Sequence, residues 1–429
     1  MKVSKNKQQE RRSFERVTRD TLAVVMAGGR GTRLNQLTAR HSKPAIPFGG
    51  KYRIIDFTLS NCINSGIHKI CILTQYRAHS LIRHIERAWS FCRDEFGEFI
   101  ELLPAQERFE TSSWYQGTAD SVYQNLDIIL DHRPSYVLVL AGDHVYKMDY
   151  GLMTATHIKN DADVTVGCVE VQLENATQFG VIQTDENKKV IGFQEKPLQP
   201  RPIPGREGFA LASMGIYVFS MDFLVETLEQ DAQSPTSSHD FGRDILPSII
   251  SKHRVYACPF SDIESDNDHG YWRDVGTVDA YWRANLELIG VTPPLNLYDQ
   301  NWPIRSHQAQ LPPAKFVFDD DDRRGMAVDS MVSAGCIVSG SSVRHSLLSN
   351  NVRINSFSKI EDSVLLPGVK VGRHCHIKRA VIDSNCIIPE KTEIGINLKK
   401  DKSRFHVTPE GVVLVCPDML GQQTRYGSY

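Results

Sequence analysis

Residues Leu22–Lys43 read LAVVMAGGRGTRLNQLTARHSK. The apolar run Leu22-Ala23-Val24-Val25-Met26, bounded by glycines, predicts a buried strand of a parallel sheet. Gly28, Gly29 and Gly31 follow at once, where the backbone must turn tightly and let a ligand come close. Arg30, Arg33, Arg40 and Lys43 come next, with no acidic residue among them. Backbone N–H groups exposed by such a turn, with cationic side chains nearby, suit a polyphosphate. Two familiar glycine-rich loops fit poorly. A P-loop would close on Gly-Lys-Ser/Thr, and the dinucleotide fingerprint needs a third glycine where Leu34 stands.

Working outward, strands and helices alternate. Lys69–Thr74, Phe99–Leu103 and Tyr136–Ala141 read as strands; 53–63, Arg77–Trp89, Ala119–Leu130 and Val278–Ile289 have helical spacing. This predicts an α/β fold with a Rossmann-like, mostly parallel sheet. Ligands of such sheets sit at the carboxyl ends of the strands, where both the glycine-rich loop and Gly142-Asp143 fall. Asp163–Val171 and Ser213–Phe219 read as further strands, and Gln199–Gly208 as a surface loop. Beyond about Gly325 helical spacing gives way to short β-prone steps. Val371 and Ile377, then Ile382, Ile388 and Ile394, recur at six-residue intervals, the mark of a parallel β-helix, with a β-sandwich as the alternative. The expected organisation is a basic arm at 1–20, a catalytic domain at 21–291, a Pro-rich linker at 292–324 and a β-helix at 325–429 that serves regulation and oligomer contact.

The chain has 429 residues, room for more than one domain. Its 41% hydrophobic and 23% charged content is that of a soluble globular protein, and its net charge of −2 gives no reason to expect nucleic acid or an anionic membrane as partner. No stretch has the apolar length to span a bilayer, and the polar first twenty residues lack a signal-peptide core. Nine cysteines without C-x-x-C spacing indicate neither a disulfide framework nor a structural zinc site. Cys71 and Cys168, inside apolar runs, read as small core residues, and the expected compartment is the cytoplasm.

A carboxylate at Asp143, ending the strand before Gly142-Asp143-His144, could hold Mg²⁺, which favours few protein oxygens together with substrate phosphates. Asp274, in Tyr271-Trp272-Arg273-Asp274, is the candidate second ligand. Phe193-Gln194-Glu195-Lys196-Pro197 places a carboxylate and an ammonium side by side, by themselves a commonplace surface pair. A polyphosphate bound at the loop needs cations placed around it. Arg33 and Lys43, with Asp143, are therefore the candidate catalytic residues.

Gly28-Gly29-Arg30-Gly31-Thr32-Arg33-Leu34, with Lys43-Pro44, resembles the triphosphate loop of the sugar-1-phosphate nucleotidyltransferases. Trp114-Tyr115-Gln116-Gly117-Thr118-Ala119-Asp120, Gly142-Asp143-His144-Val145-Tyr146, Ser213-Met214-Gly215-Ile216-Tyr217, Ser237-Ser238-His239-Asp240-Phe241-Gly242 and Tyr271-Trp272-Arg273-Asp274 narrow the resemblance to the bacterial glucose-1-phosphate adenylyltransferase family, from about Leu22 to Leu414. The resemblance implies transfer of the adenylyl group of ATP to α-D-glucose 1-phosphate, the regulated step of bacterial glycogen synthesis. It also implies a homotetramer and a left-handed β-helix. Carried over residue by residue, it places Gly28, Gly29, Arg30, Gly31, Thr32 and Gln75 at the nucleotide, and Tyr115, Gly180, Glu195, Lys196, Ser213 and Asp240 at the sugar phosphate. It further implies activation by fructose 1,6-bisphosphate and inhibition by AMP at a site containing Arg40 and Arg53. There Arg40 stands for the family's lysine, Pro47 for a histidine and Ser384 for an arginine of the enteric members. Rival readings are a transferase for another nucleotide, a non-catalytic subunit and a nicotinamide-dependent dehydrogenase.

Overall fold

The structure is a computed structural model that describes residues 16–29, 31–39, 41–105, 114–260, 270–320 and 322–422, without the side chains of Thr32 and Asp94. Arg30, Arg40 and most of the basic arm lie outside the described residues. The chain divides into two compact units. One comprises Met1–Gly29, Phe57–Ala78 and Trp89–Trp272; the other comprises Arg30–Asp56, His79–Ala88 and Arg273–Tyr429. The cation-rich half of the opening stretch thus groups with the C-terminal residues, a division that a contiguous reading of the sequence does not anticipate.

The first unit is built on a nine-stranded sheet: β1 (Thr21–Met26), β2 (Lys69–Thr74), β3 (Phe99–Pro104), β4 (Tyr136–Ala141), β5 (Val164–Gln172), β6 (Gly180–Thr184), β7 (Val190–Glu195), β8 (Phe209–Ser220) and β9 (Val255–Pro259). The path runs β7-β6-β8-β4-β1-β2-β3, and β5 pairs with β8 and β9. From β4 to β3 every pairing is parallel, while β8 enters antiparallel to β4. Leu22, Val24, Val137 and Val139 are fully buried, as strands covered on both faces require. Strands β6, β7 and β9 were not expected from the sequence; they are short and flanked by polar turns. The expected helix Ala119–Leu130 is two helices, Thr118–Tyr123 and Leu126–Asp131. The break is at Asn125, whose backbone leaves helical geometry and whose amide donates to Ser121 O at 2.9 Å and to Tyr115 Oη at 3.0 Å.

In the second unit three sheets each take one strand per coil, giving a three-sided parallel β-helix. Val371 pairs with Ile354 and Ile388, Ile377 with Ile360 and Ile394, and Ile382 with Leu365. The apolar steps seen in sequence therefore move from one face to the next around a shared core of fully buried residues. Corners turn in the left-handed region at His345, Asp362 and Arg379, and again at Phe357, His374 and Lys391. Within the expected linker, Lys315–Val317 already pairs in parallel with Ile337–Ser339, so the solenoid pattern starts ten residues before Gly325. Serines line the inside of the coils in register: the N–H groups of Ser358 and Cys375 donate to Ser341 Oγ and Ser358 Oγ at 3.1 and 3.0 Å.

Candidate functional site

In the second unit, Gly31 adopts φ +58°, a conformation that costs glycine little. A Cβ there would press on Thr38 at 2.9 Å and on Lys43 at 3.2 Å. Thr38 Oγ1 ties the turn by donating to the carbonyls of Gly31 and Asn35, both at 3.0 Å. This tight loop delivers Arg33 and Lys43 to one carboxylate. Lys43 Nζ lies 2.6 Å from Asp274 Oδ1 and Arg33 Nη2 3.4 Å from Asp274 Oδ2. Lys43 is buried and Asp274 nearly so, while Arg33 is more than half exposed. A Cβ at Gly276 would meet Asp274 Oδ1 at 2.9 Å and Arg33 Nη2 at 3.0 Å, so glycine there keeps the approach open. Three of the residues expected to handle phosphate and metal thus form one cluster. Arg33, the exposed partner, can exchange its carboxylate for a phosphate.

In the first unit, β1 ends at Met26 and runs into Ala27-Gly28, where a Cβ on Gly28 would press on Gln75 Cβ at 3.1 Å. Gln75, just past the end of β2, donates through Nε2 to Tyr115 O at 3.5 Å. Gly142 N donates to Met26 O at 3.1 Å, so the ends of β1 and β4 are bonded together and Asp143 emerges beside the glycine turn. Its carboxylate is about one-third exposed and lies 3.5 Å from His144 Nε2. As a partly exposed oxygen donor at a strand end, Asp143 fits a hard divalent cation. Asp274 offers oxygen donors of the same kind, engaged here by Lys43 and Arg33, which a cation would have to displace.

The residues expected at the sugar phosphate gather around two strand ends and a helix start. Gly180 begins β6 and pairs with Glu195 at the end of β7. A Cβ on Gly180 would meet Phe193 at 2.3 Å and Glu195 Oε2 at 3.0 Å, and one on Gly242 would meet Glu195 Oε2 at 2.9 Å. Lys196 follows with φ +46° and places Nζ 3.1 Å from Glu195 Oε1. Ser213 sits where the β5–β8 register shifts, and its Oγ accepts from Gly215 N at 3.3 Å. Tyr217 links the group: Ser213 bonds to its hydroxyl, and Asp240 and Glu195 lie close enough to act on its charge. Burial, the larger effect, and these two carboxylates push its phenol well above the ordinary range.

Asp240 is a helix cap. Its Oδ1 accepts from the N–H groups of Gly242 and Arg243 at 2.9 and 3.1 Å, and its Oδ2 accepts from Thr118 Oγ1 at 3.0 Å. It reaches the sugar region by fixing the loop rather than by offering a free carboxylate. Gly117 packs so tightly on this loop that a Cβ would lie 2.1 Å from His239 O. Thr118 and Tyr217 stand in the quoted strings without an assigned role, and Asn125 stands in none of them. Their signal is weak, because a helix-start threonine, a mid-helix asparagine and a strand tyrosine are commonplace.

Similarity to known proteins agrees with this geometry. The nucleotidyl transferase family matches residues 22–290. The GlmU-like C-terminal hexapeptide family matches residues 312–415, the coils of the left-handed β-helix. Among similar proteins, the glucose-1-phosphate adenylyltransferase of Nitrosococcus oceani is 62% identical over 97% of this chain and 98% of its own. That of Methylococcus capsulatus is 61% identical over 97% of both chains, and that of Dechloromonas aromatica 56% identical over 98% of this chain and 96% of its own. The chain belongs to the nucleotidyl transferase family and, within it, to the glucose-1-phosphate adenylyltransferases.

Proposed function

We propose that this protein transfers the adenylyl group of ATP to α-D-glucose 1-phosphate, forming ADP-glucose and releasing pyrophosphate, for glycogen synthesis. The observation that carries the reading is the convergence of Arg33 and Lys43 on Asp274. A phosphate oxygen of the sugar attacks the α-phosphorus, and the bond to the β-phosphate bridging oxygen breaks as pyrophosphate leaves. Gly28, Gly29 and Gly31 let the backbone follow the triphosphate, with Arg30 and Thr32 in the same loop and Gln75 beside it. Arg33 neutralises the departing pyrophosphate and Lys43 steadies the phosphates. Glu195 accepts sugar hydroxyls, Lys196 pairs with the sugar phosphate, and Tyr115, Gly180 and Ser213 shape the platform. A divalent cation, Mg²⁺ by its preference for oxygen donors, would be held by Asp143 and Asp274 and would supply further neutralisation between the two anions.

Regulation is part of the same proposal. A cavity of about 400 Å³ in the second unit is lined by Lys51, Arg53, Arg83, Arg87 and Lys370, a cationic lining suited to a phosphorylated metabolite. Pro47 and Ser384 line it too, two of the three positions that depart from the enteric pattern. Arg53 is anchored there by donating to Ala45 O at 2.9 Å. Fructose 1,6-bisphosphate is the proposed activator and AMP the proposed inhibitor, with Arg40 contributing. A cytoplasmic homotetramer is the proposed working form; among the described residues no helix is long and apolar enough to cross a membrane. The test is pyrophosphate release from ATP and glucose 1-phosphate with Mg²⁺, with and without each phosphorylated metabolite. Release with UTP, dTTP or GTP in preference to ATP would overturn the nucleotide assignment. A rate indifferent to every metabolite would overturn the regulatory one.

A further inference from the structure

Cys71, Glu101 and His132 bring three metal-ligating atoms within 4.8 Å of one another. They come from three separate parts of the first unit. Cys71 lies on β2 and Glu101 is its register partner on β3, the last strand of the path. His132 follows the helix Leu126–Asp131, and its Nε2 lies 3.3 Å from Glu101 Oε2. The imidazole stacks on Phe99, two residues before Glu101, with ring centroids 4.3 Å apart. The ring is therefore held by an aromatic neighbour that supplies no competing charge. The Cys71 side chain is buried, whereas Glu101 is 44% exposed and His132 25% exposed, so the cluster has a solvent side through which an ion could enter.

We infer that Cys71, Glu101 and His132 form a binding site for one borderline-soft divalent cation of the Zn²⁺ class, separate from the Mg²⁺ ligands proposed for the reaction. One sulfur, one imidazole nitrogen and one carboxylate oxygen make a donor set that Zn²⁺ accepts and that Mg²⁺, which prefers oxygen alone, does not. Zinc–ligand bonds of about 2.0–2.3 Å place ligand atoms roughly 3.3–3.8 Å apart in a tetrahedron. The cluster needs to contract by at most about 1.5 Å, within reach of small side-chain rotations at the partly exposed Glu101 and His132. Three protein ligands leave the fourth position to water. As the metal–sulfur bond forms, the Cys71 thiol proton leaves to solvent. The consequence is a clasp joining β2, β3 and the residue after the helix, at one end of the sheet. The spacing rules for cysteine motifs miss such a site because its ligands are about thirty residues apart.

Co²⁺ serves as the spectroscopic probe, added to the full-length protein in excess Mg²⁺ so that the oxygen sites are filled. The expected result is one equivalent of Co²⁺ bound with a thiolate-to-metal charge-transfer absorption, displaced by one equivalent of Zn²⁺. Zn²⁺ should also raise the melting temperature. Absorption and shift should both vanish in Cys71→Ala and in His132→Gln, the latter a partly exposed change that leaves the core intact. An absent band in the wild-type protein overturns the site. So does a band that survives either substitution, because another thiol, such as Cys92 or Cys258, would then replace Cys71, or His132 would not be a ligand.

Discussion

Two lysine–carboxylate pairs of the same chemistry sit in the two units of this molecule. Lys43 and Asp274 meet at 2.6 Å with side chains 6% and 14% exposed, whereas Lys196 and Glu195 meet at 3.1 Å with side chains 55% and 22% exposed. Burial changes what such a pair is for. A buried pair has given up its hydration, so each charge depends on the other and the geometry is fixed. An exposed pair is nearly neutral in energy, and its ammonium can turn from carboxylate to ligand phosphate at little cost. On the proposed function, the first pair would serve bond rearrangement, where position decides the rate, and the second substrate capture.

The largest effect should come from breaking the buried pair. Asp274→Asn removes the carboxylate that Lys43 bonds and should destabilise the protein by about 3–5 kcal/mol. It should also abolish pyrophosphate release, measured beside denaturant unfolding. Glu195→Gln should cost well under 1 kcal/mol of stability. Equal stability losses in the two variants would erase the distinction between the pairs. Next is Arg33→Ala. Arg33 shares Asp274 but is more than half exposed, so its loss should fall on the barrier, about 2–4 kcal/mol, with unfolding unchanged. Near-normal turnover would remove Arg33 from the catalytic group.

His157 sharpens the comparison, because burial without a close counter-ion leaves a group neutral instead of paired. It is 1% exposed, with Nδ1 2.9 Å from Thr165 Oγ1 and Nε2 3.1 Å from Ser220 Oγ. Burial is the main cause that holds its pKa down at about 4, against an ordinary 6.5. The unfolded chain therefore takes up the proton first. The stability that neutral His157 contributes is complete above pH 6.5 and is lost as the pH falls toward 4, by up to about 3 kcal/mol. Unfolding free energies across that window should slope downward on acidification, and His157→Gln should flatten the slope. For the exposed pair, Lys196→Ala should raise the KM for glucose 1-phosphate far more than that for ATP while stability stays within about 1 kcal/mol. A matching rise for both substrates would contradict the assignment to the sugar phosphate.

How much of this was legible in the sequence follows the same physics. Strands β1, β2 and β4 were readable because uninterrupted apolar runs have few alternatives. The β-helix was readable because each coil repeats the same inward step. The meeting of Arg33, Lys43 and Asp274 was not readable from spacing, since some 230 residues separate the last two; only the resemblance brought them into one site. Asp240 shows the limit of that route. A motif names the residue, but only the structure shows its carboxylate engaged with Thr118 and the start of a helix. The helix break at Asn125 was equally hidden, because the side chain that draws it out of line belongs to Tyr115.

The solenoid offers the smallest effect and the cleanest contrast with the charged pairs. Its interior polar groups are neutral hydroxyls, each serving two coils. Ser358 Oγ donates to Gly372 O at 2.8 Å and accepts from Cys375 N at 3.0 Å, and Ser363 Oγ does the same for Glu361 O at 2.6 Å and Ala380 N at 3.2 Å. Ser358→Ala leaves one buried N–H and one carbonyl short of a partner without creating a large cavity. The expected cost is about 1–3 kcal/mol, at the low end if the coils close slightly. Ser363→Ala should cost about the same, because it too leaves one buried N–H and one carbonyl short of a partner, although its carbonyl partner lies two residues back in its own coil. The two losses should add, since the residues lie on different faces and share no hydrogen-bond partner. Strongly non-additive losses in denaturant unfolding would show that the two faces of the solenoid are coupled, and turnover should remain unchanged throughout.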